Sequence, residues 1–160
     1  ALPTGVQRFG SYSFAVSGAV MLKGTRSGTG DLPQKVLLEL GTQAKAIAFL
    51  HTTGFLSSVP KDTVGSYTFT YADGTSVRQP LEYGRHIASW TDVGATSLAF
   101  TPAWRGKTSD GLDVGLNTWV WVNPNPDKII QNITFETSGS QANPVLLGMS
   151  LLDDVPPEAQ

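Results

Sequence analysis

Apolar and polar residues alternate over short stretches of this chain, and turn residues separate the stretches about every ten positions. In residues 67–71 three aromatic residues alternate with two threonines, and the turn dipeptide Asp73-Gly74 follows. A period of two places successive side chains on opposite faces of a strand, and Asp-Gly readily adopts the positive φ of a tight hairpin. The pattern therefore predicts a β-hairpin whose first strand buries its aromatic face.

Strand-like segments of this kind run through the whole sequence, while helical periodicity is nearly absent. Asp110-Gly111 predicts a second tight turn, and the prolines of residues 123–126 end the strand before them because proline cannot donate to a ladder. The predicted strands are residues 11–16, 19–23, 36–40, 46–51, 65–71, 76–80, the region of 87, 97–104, 112–116, 118–122, 129–137 and 144–152. Their number predicts an all-β, jelly-roll β-sandwich of two antiparallel sheets.

Composition supports one β domain. The chain has 160 residues, which suffices for one well-buried core. Only 15% of the residues are charged, while glycine (17) and proline (10) are abundant, as expected for short strands joined by tight turns. We expect the domain to span residues 1–152 and the acidic, proline-rich residues 153–160 to form a linker-like tail.

Charge and hydropathy exclude several partners. The net charge is −2 and the basic residues are scattered, which argues against a nucleic-acid partner. The chain has no cysteine, so neither a disulfide nor a thiolate zinc site can form. Its apolar runs are far shorter than the roughly 20 residues of a membrane span. The first five residues lack the features of a signal peptide, so we expect the chain to begin as a mature protein or an excised module would.

No catalytic constellation stands out. His51 lies in an apolar strand, which predicts a structural histidine, and His86 lies in a loop without a Gly-x-Ser-x-Gly elbow to accompany it. Glycoside cleavage needs two carboxylates across the scissile bond, but Glu39, Glu82 and Glu136 each stand alone. The sequence therefore predicts that the domain is not itself an enzyme.

Three aspartates are the candidate metal ligands. Asp110 and Asp113 flank a turn and Asp31 lies in a glycine-rich loop, so their oxygens could hold a structural calcium ion. The simpler interpretation is that Asp110 shapes its hairpin. Apart from this calcium, the sequence predicts no cofactor.

Aromatic residues near loops are the candidate carbohydrate-binding groups, because a flat ring can stack on the apolar face of a sugar. Trp104 is favoured since it ends a strand and precedes Arg105 and Gly106 at the start of a loop. Trp90 and Trp121 are further tryptophans, and each tryptophan is also a candidate for the core. The predicted carbohydrate-binding residues are Trp104, Arg105, Tyr83, Arg85 and Trp119.

An ordered series of segments resembles a known family. The series is Ala-Ile-Ala-Phe-Leu-His (46–51), Tyr-Thr-Phe-Thr-Tyr-Ala-Asp-Gly-Thr (67–75), Gly-Arg-His-Ile-Ala-Ser-Trp (84–90), Ala-Trp-Arg-Gly (103–106), Trp-Val-Asn-Pro-Asn-Pro (121–126) and Ile-Ile-Gln-Asn-Ile (129–133). It resembles the galactose-binding-like β-sandwich domains appended to bacterial glycoside hydrolases and related polysaccharide-degrading enzymes. The resemblance covers residues 9–151 and implies a jelly-roll accessory domain in a carbohydrate-related setting, but it supplies no ligand residues.

Two functional hypotheses follow. The first is a non-catalytic carbohydrate-binding module of a secreted bacterial polysaccharide-degrading enzyme, with a polysaccharide or oligosaccharide and the other domains of the parent enzyme as partners. The second is a structural accessory domain that packs on a catalytic domain and has no glycan site of its own. An exposed aromatic strip with polar loop residues favours the first, a broad apolar patch favours the second, and two facing carboxylates would indicate an enzyme.

Overall fold

The computed structural model describes residues 5–9, 12–16, 19–25, 28, 30–91 and 100–159. Of residues 5–9, 12–16 and 100–104 it gives the backbone alone, and the same holds for residue 158. Within these ranges the regular structure consists of strands and one 3₁₀ turn. The elements are β1 Gly5–Phe9, β2 Tyr12–Val16, β3 Val20–Met21, β4 Lys35–Thr42, β5 Ala46–Thr53, β6 Thr63–Tyr71, β7 Ser76–Glu82, β8 Phe100–Lys107, β9 Asp113–Val122, β10 Ile130–Thr137, β11 Pro144–Leu152 and the 3₁₀ turn Pro157–Ala159.

Two antiparallel sheets and a small hairpin organise these strands. The four-stranded sheet has the order β4-β10-β6-β7, and the five-stranded sheet has the order β3-β11-β5-β9-β8. Strands β1 and β2 pair only with each other. The predicted all-β class and the two antiparallel sheets are thus confirmed, while the jelly-roll type stays a prediction.

Most strand boundaries differ from the prediction by one to three residues. The separately predicted segments 112–116 and 118–122 form the single strand β9, and the region of 87 contributes only an isolated bridge to Tyr83. Strand β1 was not predicted, and residues 97–99 of one predicted strand lie outside the described residues. The 3₁₀ turn lies in the predicted tail and contacts β9. The domain boundary at residue 152 stays a prediction.

The main core lies between the two sheets and is largely aromatic. Tyr67, Phe69 and Tyr71 of β6 are buried, as their alternation with threonine predicted. The ring of Phe69 stacks on that of Trp121 in the other sheet, with 3.5 Å between centroids and 2° between planes. Phe49 stacks on Tyr67 in the same way at 4.1 Å. These contacts across the sheets supply much of the apolar burial that stabilises the fold.

A second apolar cluster covers the opposite face of the five-stranded sheet, which we call the outer face. It consists of Ala48, Leu50, Leu116, Val145 and Leu147, all of them buried. Every residue of β5 is buried, so this strand has no exposed side. A sheet that is apolar on both faces resembles a central layer rather than a half-solvated surface.

Asn123 joins three parts of the domain just after β9. Its side chain is buried, and its Oδ1 accepts hydrogen bonds from the Tyr71 hydroxyl (2.6 Å) and from the Asn125 backbone N–H (2.9 Å). Its Nδ2 donates to the Ala44 carbonyl (2.8 Å). The side chain therefore ties β6, the turn after β9 and the β4–β5 connection together.

We expect Asn123→Ala to lower the free energy of unfolding by about 2 kcal/mol, because it leaves several buried polar groups without partners. Tyr71→Phe is the matched control, since it removes one of the three hydrogen bonds and should cost about 1 kcal/mol. Urea unfolding followed by circular dichroism measures both. Equal losses in the two variants would contradict the role of Asn123 as a three-way tie.

Candidate functional site

A pocket of about 470 Å³ opens on the outer face of the five-stranded sheet, near the end of β5. Aliphatic side chains from β3, β9 and β11 form its walls, and Phe55 and Trp90 add two aromatic rings. Phe55 is 39% exposed and Trp90 is half-buried. We call this cavity the Trp90 pocket; its residues are Ala19, Met21, Gly28, Leu32, Thr52, Thr53, Gly54, Phe55, Trp90, Leu116, Asn143, Val145 and Leu147.

Backbone hydrogen bonds fix Trp90 between two strands. The Trp90 N–H donates to the Thr53 carbonyl at the end of β5 (3.3 Å), and the Trp90 carbonyl accepts from Gly115 of β9 (2.6 Å). Two residues earlier, the Ala88 carbonyl accepts from the Thr53 N–H (3.1 Å). Trp90 is thus inserted where β5 and β9 diverge, which presents its side chain at the pocket from a rigid backbone.

The threonines of the pocket have their hydroxyls engaged elsewhere. Thr52 Oγ1 donates to the Ala88 carbonyl (3.0 Å), and Thr53 Oγ1 donates to the Phe55 carbonyl (2.7 Å). These bonds satisfy the hydroxyl donors without a ligand. The two threonines can therefore offer a ligand only acceptor oxygens, and a side chain with both an unused donor and an unused acceptor has to come from elsewhere in the pocket.

Asn143 is that side chain. It is 1% exposed, and neither its Nδ2 nor its Oδ1 has a hydrogen-bond partner among the described residues. Its backbone carbonyl accepts from the Gly54 N–H (2.9 Å), and a Cβ placed at Gly54 would clash with Asn143 Oδ1. A Cβ at Gly24 would crowd Asn143 Cβ as well. Two glycines therefore frame a niche for an amide that has no partner.

The structure separates the predicted carbohydrate-binding tryptophans. Trp119 lies in the main core, 6% exposed, with Phe49 and Tyr67 stacked beside it. A side chain this deeply buried offers no free ring face to a sugar, so we do not place Trp119 in the candidate site. Trp104 lies on the edge strand β8 with its backbone paired to Leu116, a residue of the Trp90 pocket, but its side chain lies outside the described residues. Arg105 is exposed and pairs with Gly115.

Tyr83 and Arg85 belong to the loop that leads to Trp90. The Tyr83 hydroxyl accepts from the Ser89 N–H (3.2 Å), and its half-buried ring packs on the main core. Tyr83 therefore supports the segment that carries Trp90. Arg85 is exposed in the intervening turn, where its N–H donates to the Glu82 carbonyl (3.2 Å).

Sequence reasoning did not single out the two side chains that define this pocket. The sequence favours Trp104 over Trp90, because Trp104 ends a predicted strand beside Arg105 and Gly106 and Trp90 has no such local feature. Asn143 stands among small and polar residues before Pro144 and carries no motif. Its amide is buried without a partner only because the fold packs Gly24 and Gly54 around it.

Two of the three candidate metal ligands are engaged in hydrogen bonds within the described ranges, and the structural calcium ion stays a prediction. Asp110 accepts a hydrogen bond from Thr108 Oγ1, which holds the pKa of its carboxyl below the usual range. Asp113 pairs with Lys107 at 2.5 Å, and this bond lowers its pKa in the same way. Asp31 is an exposed turn residue, and no three acidic or histidine side chains come together within the described ranges.

His51 is a buried structural residue, as the sequence predicted. Its Nε2 donates to the His86 backbone carbonyl (2.7 Å), and its Nδ1 accepts from the Tyr67 hydroxyl (3.0 Å). Burial lowers its pKa to about 4 and raises the pKa of Tyr67 well above its ordinary value. Both ring nitrogens are occupied and the side chain is fully enclosed, so His51 has no access to a substrate.

Comparisons with known proteins add no relative. No protein-family model, curated protein or solved structure matches this chain. Over the described residues, the structure contains no helix long and apolar enough to cross a membrane.

Proposed function

We propose that this domain is a non-catalytic carbohydrate-binding module of a secreted bacterial polysaccharide-degrading enzyme, of the jelly-roll, galactose-binding-like type. Its glycan site is the Trp90 pocket. The observation that carries the proposal is the combination of a rigidly held, half-buried Trp90 with the unpartnered amide of Asn143 in one cavity. Ligand sites for small molecules combine mostly apolar walls with a few fixed polar groups in this way.

The distribution of carboxylates supports a binding role over catalysis. Among the described residues that line the Trp90 pocket there is no aspartate or glutamate. Glu39 and Glu136 are exposed on β4 and β10 of the other sheet, and Glu82 ends β7. A glycosidase would need two carboxyl groups on opposite sides of one glycosidic bond. We expect the purified chain to release no reducing sugar from polysaccharides.

Affinity electrophoresis in gels that contain different polysaccharides, together with a glycan array, tests the proposal. Trp90→Ala should weaken the binding of a retained glycan about thirtyfold, which corresponds to about 2 kcal/mol, the contribution of an interface hot spot. Trp90→Phe keeps an aromatic face and should retain most of the affinity. Trp104→Ala and Arg105→Ala test the residues favoured by the sequence.

A domain that binds no glycan on the array, or one whose retention survives Trp90→Ala, would contradict the assignment of this pocket. Leu37→Ala is the control for nonspecific effects, because Leu37 is exposed on β4, in the other sheet. It should leave both retention and melting temperature unchanged. Loss of retention in this control would point to a general effect of mutation.

A structural accessory domain is the second candidate, and one observation favours it. Phe55, Leu56 and Val59 are exposed apolar residues in the loop after β5, next to the pocket. An apolar patch of this kind can pack on a neighbouring domain. If the patch is an interface, Leu56→Ser should abolish association with the parent enzyme's catalytic domain, measured by analytical ultracentrifugation, and the glycan array should be blank.

A further inference from the structure

We propose that the Trp90 pocket recognises an acetamido group, so that the ligand is a glycan containing N-acetylated sugars. The inference rests on the proposed carbohydrate-binding function and names its ligand class. The methyl group would contact the aliphatic wall, and the amide of the sugar would pair with the amide of Asn143. No other side chain among the described lining residues carries both an unused donor and an unused acceptor.

The unpartnered amide of Asn143 determines the chemistry on the ligand side. A primary amide presents N–H donors and a carbonyl acceptor next to each other. A secondary amide presents the complementary pair, because its carbonyl can accept from Nδ2 and its N–H can donate to Oδ1. A single sugar hydroxyl can form a hydrogen bond with Nδ2 or Oδ1 of Asn143. A hydroxyl alone, however, makes no apolar contact with the adjoining wall of the pocket.

The aliphatic walls favour the methyl group. Met21, Leu116, Val145 and Leu147 surround the cavity. With the C2 substituent placed against these side chains, a neutral hexose would bury a hydroxyl there, and a polar group buried without a hydrogen bond is unfavourable. An acetamido methyl loses no hydrogen bond there and removes apolar surface from water.

The absence of charge excludes acidic sugars. None of the described lining residues is lysine, arginine, aspartate or glutamate. A uronate or sulfate group in this cavity would be desolvated without a counter-charge, which is strongly unfavourable. The pocket chemistry therefore selects an uncharged substituent.

Recognition requires the amide of Asn143 to turn toward the ligand. Both of its polar atoms are shielded from water in the free domain, so binding requires the Asn143 side chain to rotate into the pocket. The rotation breaks no side-chain hydrogen bond, since none exists among the described residues. In the free domain Oδ1 occupies the space that Gly54 leaves, since a Cβ there would clash with it.

Isothermal titration of the full chain with tetra-N-acetylchitotetraose and with cellotetraose tests the inference. The two probes share chain length and linkage and differ in the acetamido or hydroxyl group at C2. We expect the acetylated probe to bind at least about tenfold more tightly, the effect of one or two well-placed hydrogen bonds. Asn143→Leu should remove this preference because it keeps the size of the side chain and deletes its polar atoms.

Thermal melts of Asn143→Leu distinguish a ligand residue from a structural one. Removal of an unpartnered buried amide should leave the melting temperature unchanged or raise it, whereas a structural asparagine would lower it. Equal affinity for both probes would overturn the inference and leave the proposed carbohydrate-binding function intact. Failure of every glycan on the array to bind would overturn both the inference and the proposed function. The two probes are compared on the unmodified chain, so this test does not require a variant that folds.

Discussion

Trp119→Ala should lower the free energy of unfolding by about 3–5 kcal/mol, the usual loss when a large aromatic residue is removed from a core. The centroid of the Trp119 ring lies 5.7 Å from the Phe49 ring centroid and 6.0 Å from the His51 ring centroid, and the rings are nearly parallel in both pairs. The His86 ring is nearly perpendicular to the Trp119 ring, with 5.3 Å between centroids. Alanine would leave a cavity bordered by side chains from both sheets, and these cannot close it without moving the sheets.

Urea unfolding followed by far-ultraviolet circular dichroism measures this loss without relying on tryptophan fluorescence. Trp119→Phe is the matched control, because it retains an aromatic ring and should lose much less stability. Glycan retention per folded molecule should stay unchanged in both variants. A Trp119→Ala protein that unfolds normally but no longer retains glycan would restore Trp119 as the ligand residue that the sequence predicted.

The buried face of β6 and the two Asp-Gly hairpins could be predicted from the sequence, because each depends on neighbouring residues alone. The alternation over residues 67–71 correctly identified the buried face of β6, since a strand period of two is set by backbone geometry alone. The Asp-Gly dipeptides likewise marked the hairpins, with Gly74 at φ 88° and Gly111 at φ 85°. Asp73 completes its turn by accepting hydrogen bonds from Thr75 and Lys128, which lower the pKa of its carboxyl.

The orientation of Trp119 and Trp121 could not be predicted because the five-stranded sheet is apolar on both faces. Along β9, Trp119 and Trp121 alternate with Val120, which packs on the outer cluster. When both sets of positions are apolar, periodicity no longer indicates which set faces the main core. Periodicity therefore could not indicate that Trp119 faces the main core, and the preference for Trp104, whose side chain lies outside the described residues, stays a prediction.

The Trp90 pocket was unpredictable for a different reason. Met21, Phe55, Leu116 and Asn143 reach it from separate regions of the chain. No short motif links such positions, so only the sheet topology brings them together. The hydrogen-bond status of Asn143 is likewise a property of its neighbours and not of its own sequence context.

Stability should fall as the pH falls from about 6.5 to about 4, and His51 is the main cause. In the folded state the pKa of His51 is about 4, because burial disfavours the charged ring. Protonation would also place a donor at Nδ1, where the Tyr67 hydroxyl now donates. The neutral ring is therefore the form that fits the core.

The sign follows from comparing proton binding in the two states. Between these two pKa values the unfolded chain binds a proton at His51 and the folded chain does not, so acid favours unfolding. Through His51 the free energy of unfolding falls by about 3 kcal/mol as the pH falls between these two pKa values. At higher pH the His51 ring is neutral in both states and contributes no pH dependence. The pKa of His86 is also lowered, mainly by burial, so His86 adds a slope of the same sign.

Urea unfolding at a series of pH values between about 4 and about 7.5, bracketing both pKa values, measures this dependence. His51→Gln should flatten most of the slope, because glutamine fills similar space and does not titrate, although its overall stability should be lower. His86→Gln should remove only the smaller remainder. If His51→Gln kept the full slope, the acid sensitivity would belong to other groups, and the assignment of His51 as a neutral, doubly hydrogen-bonded core residue would be wrong.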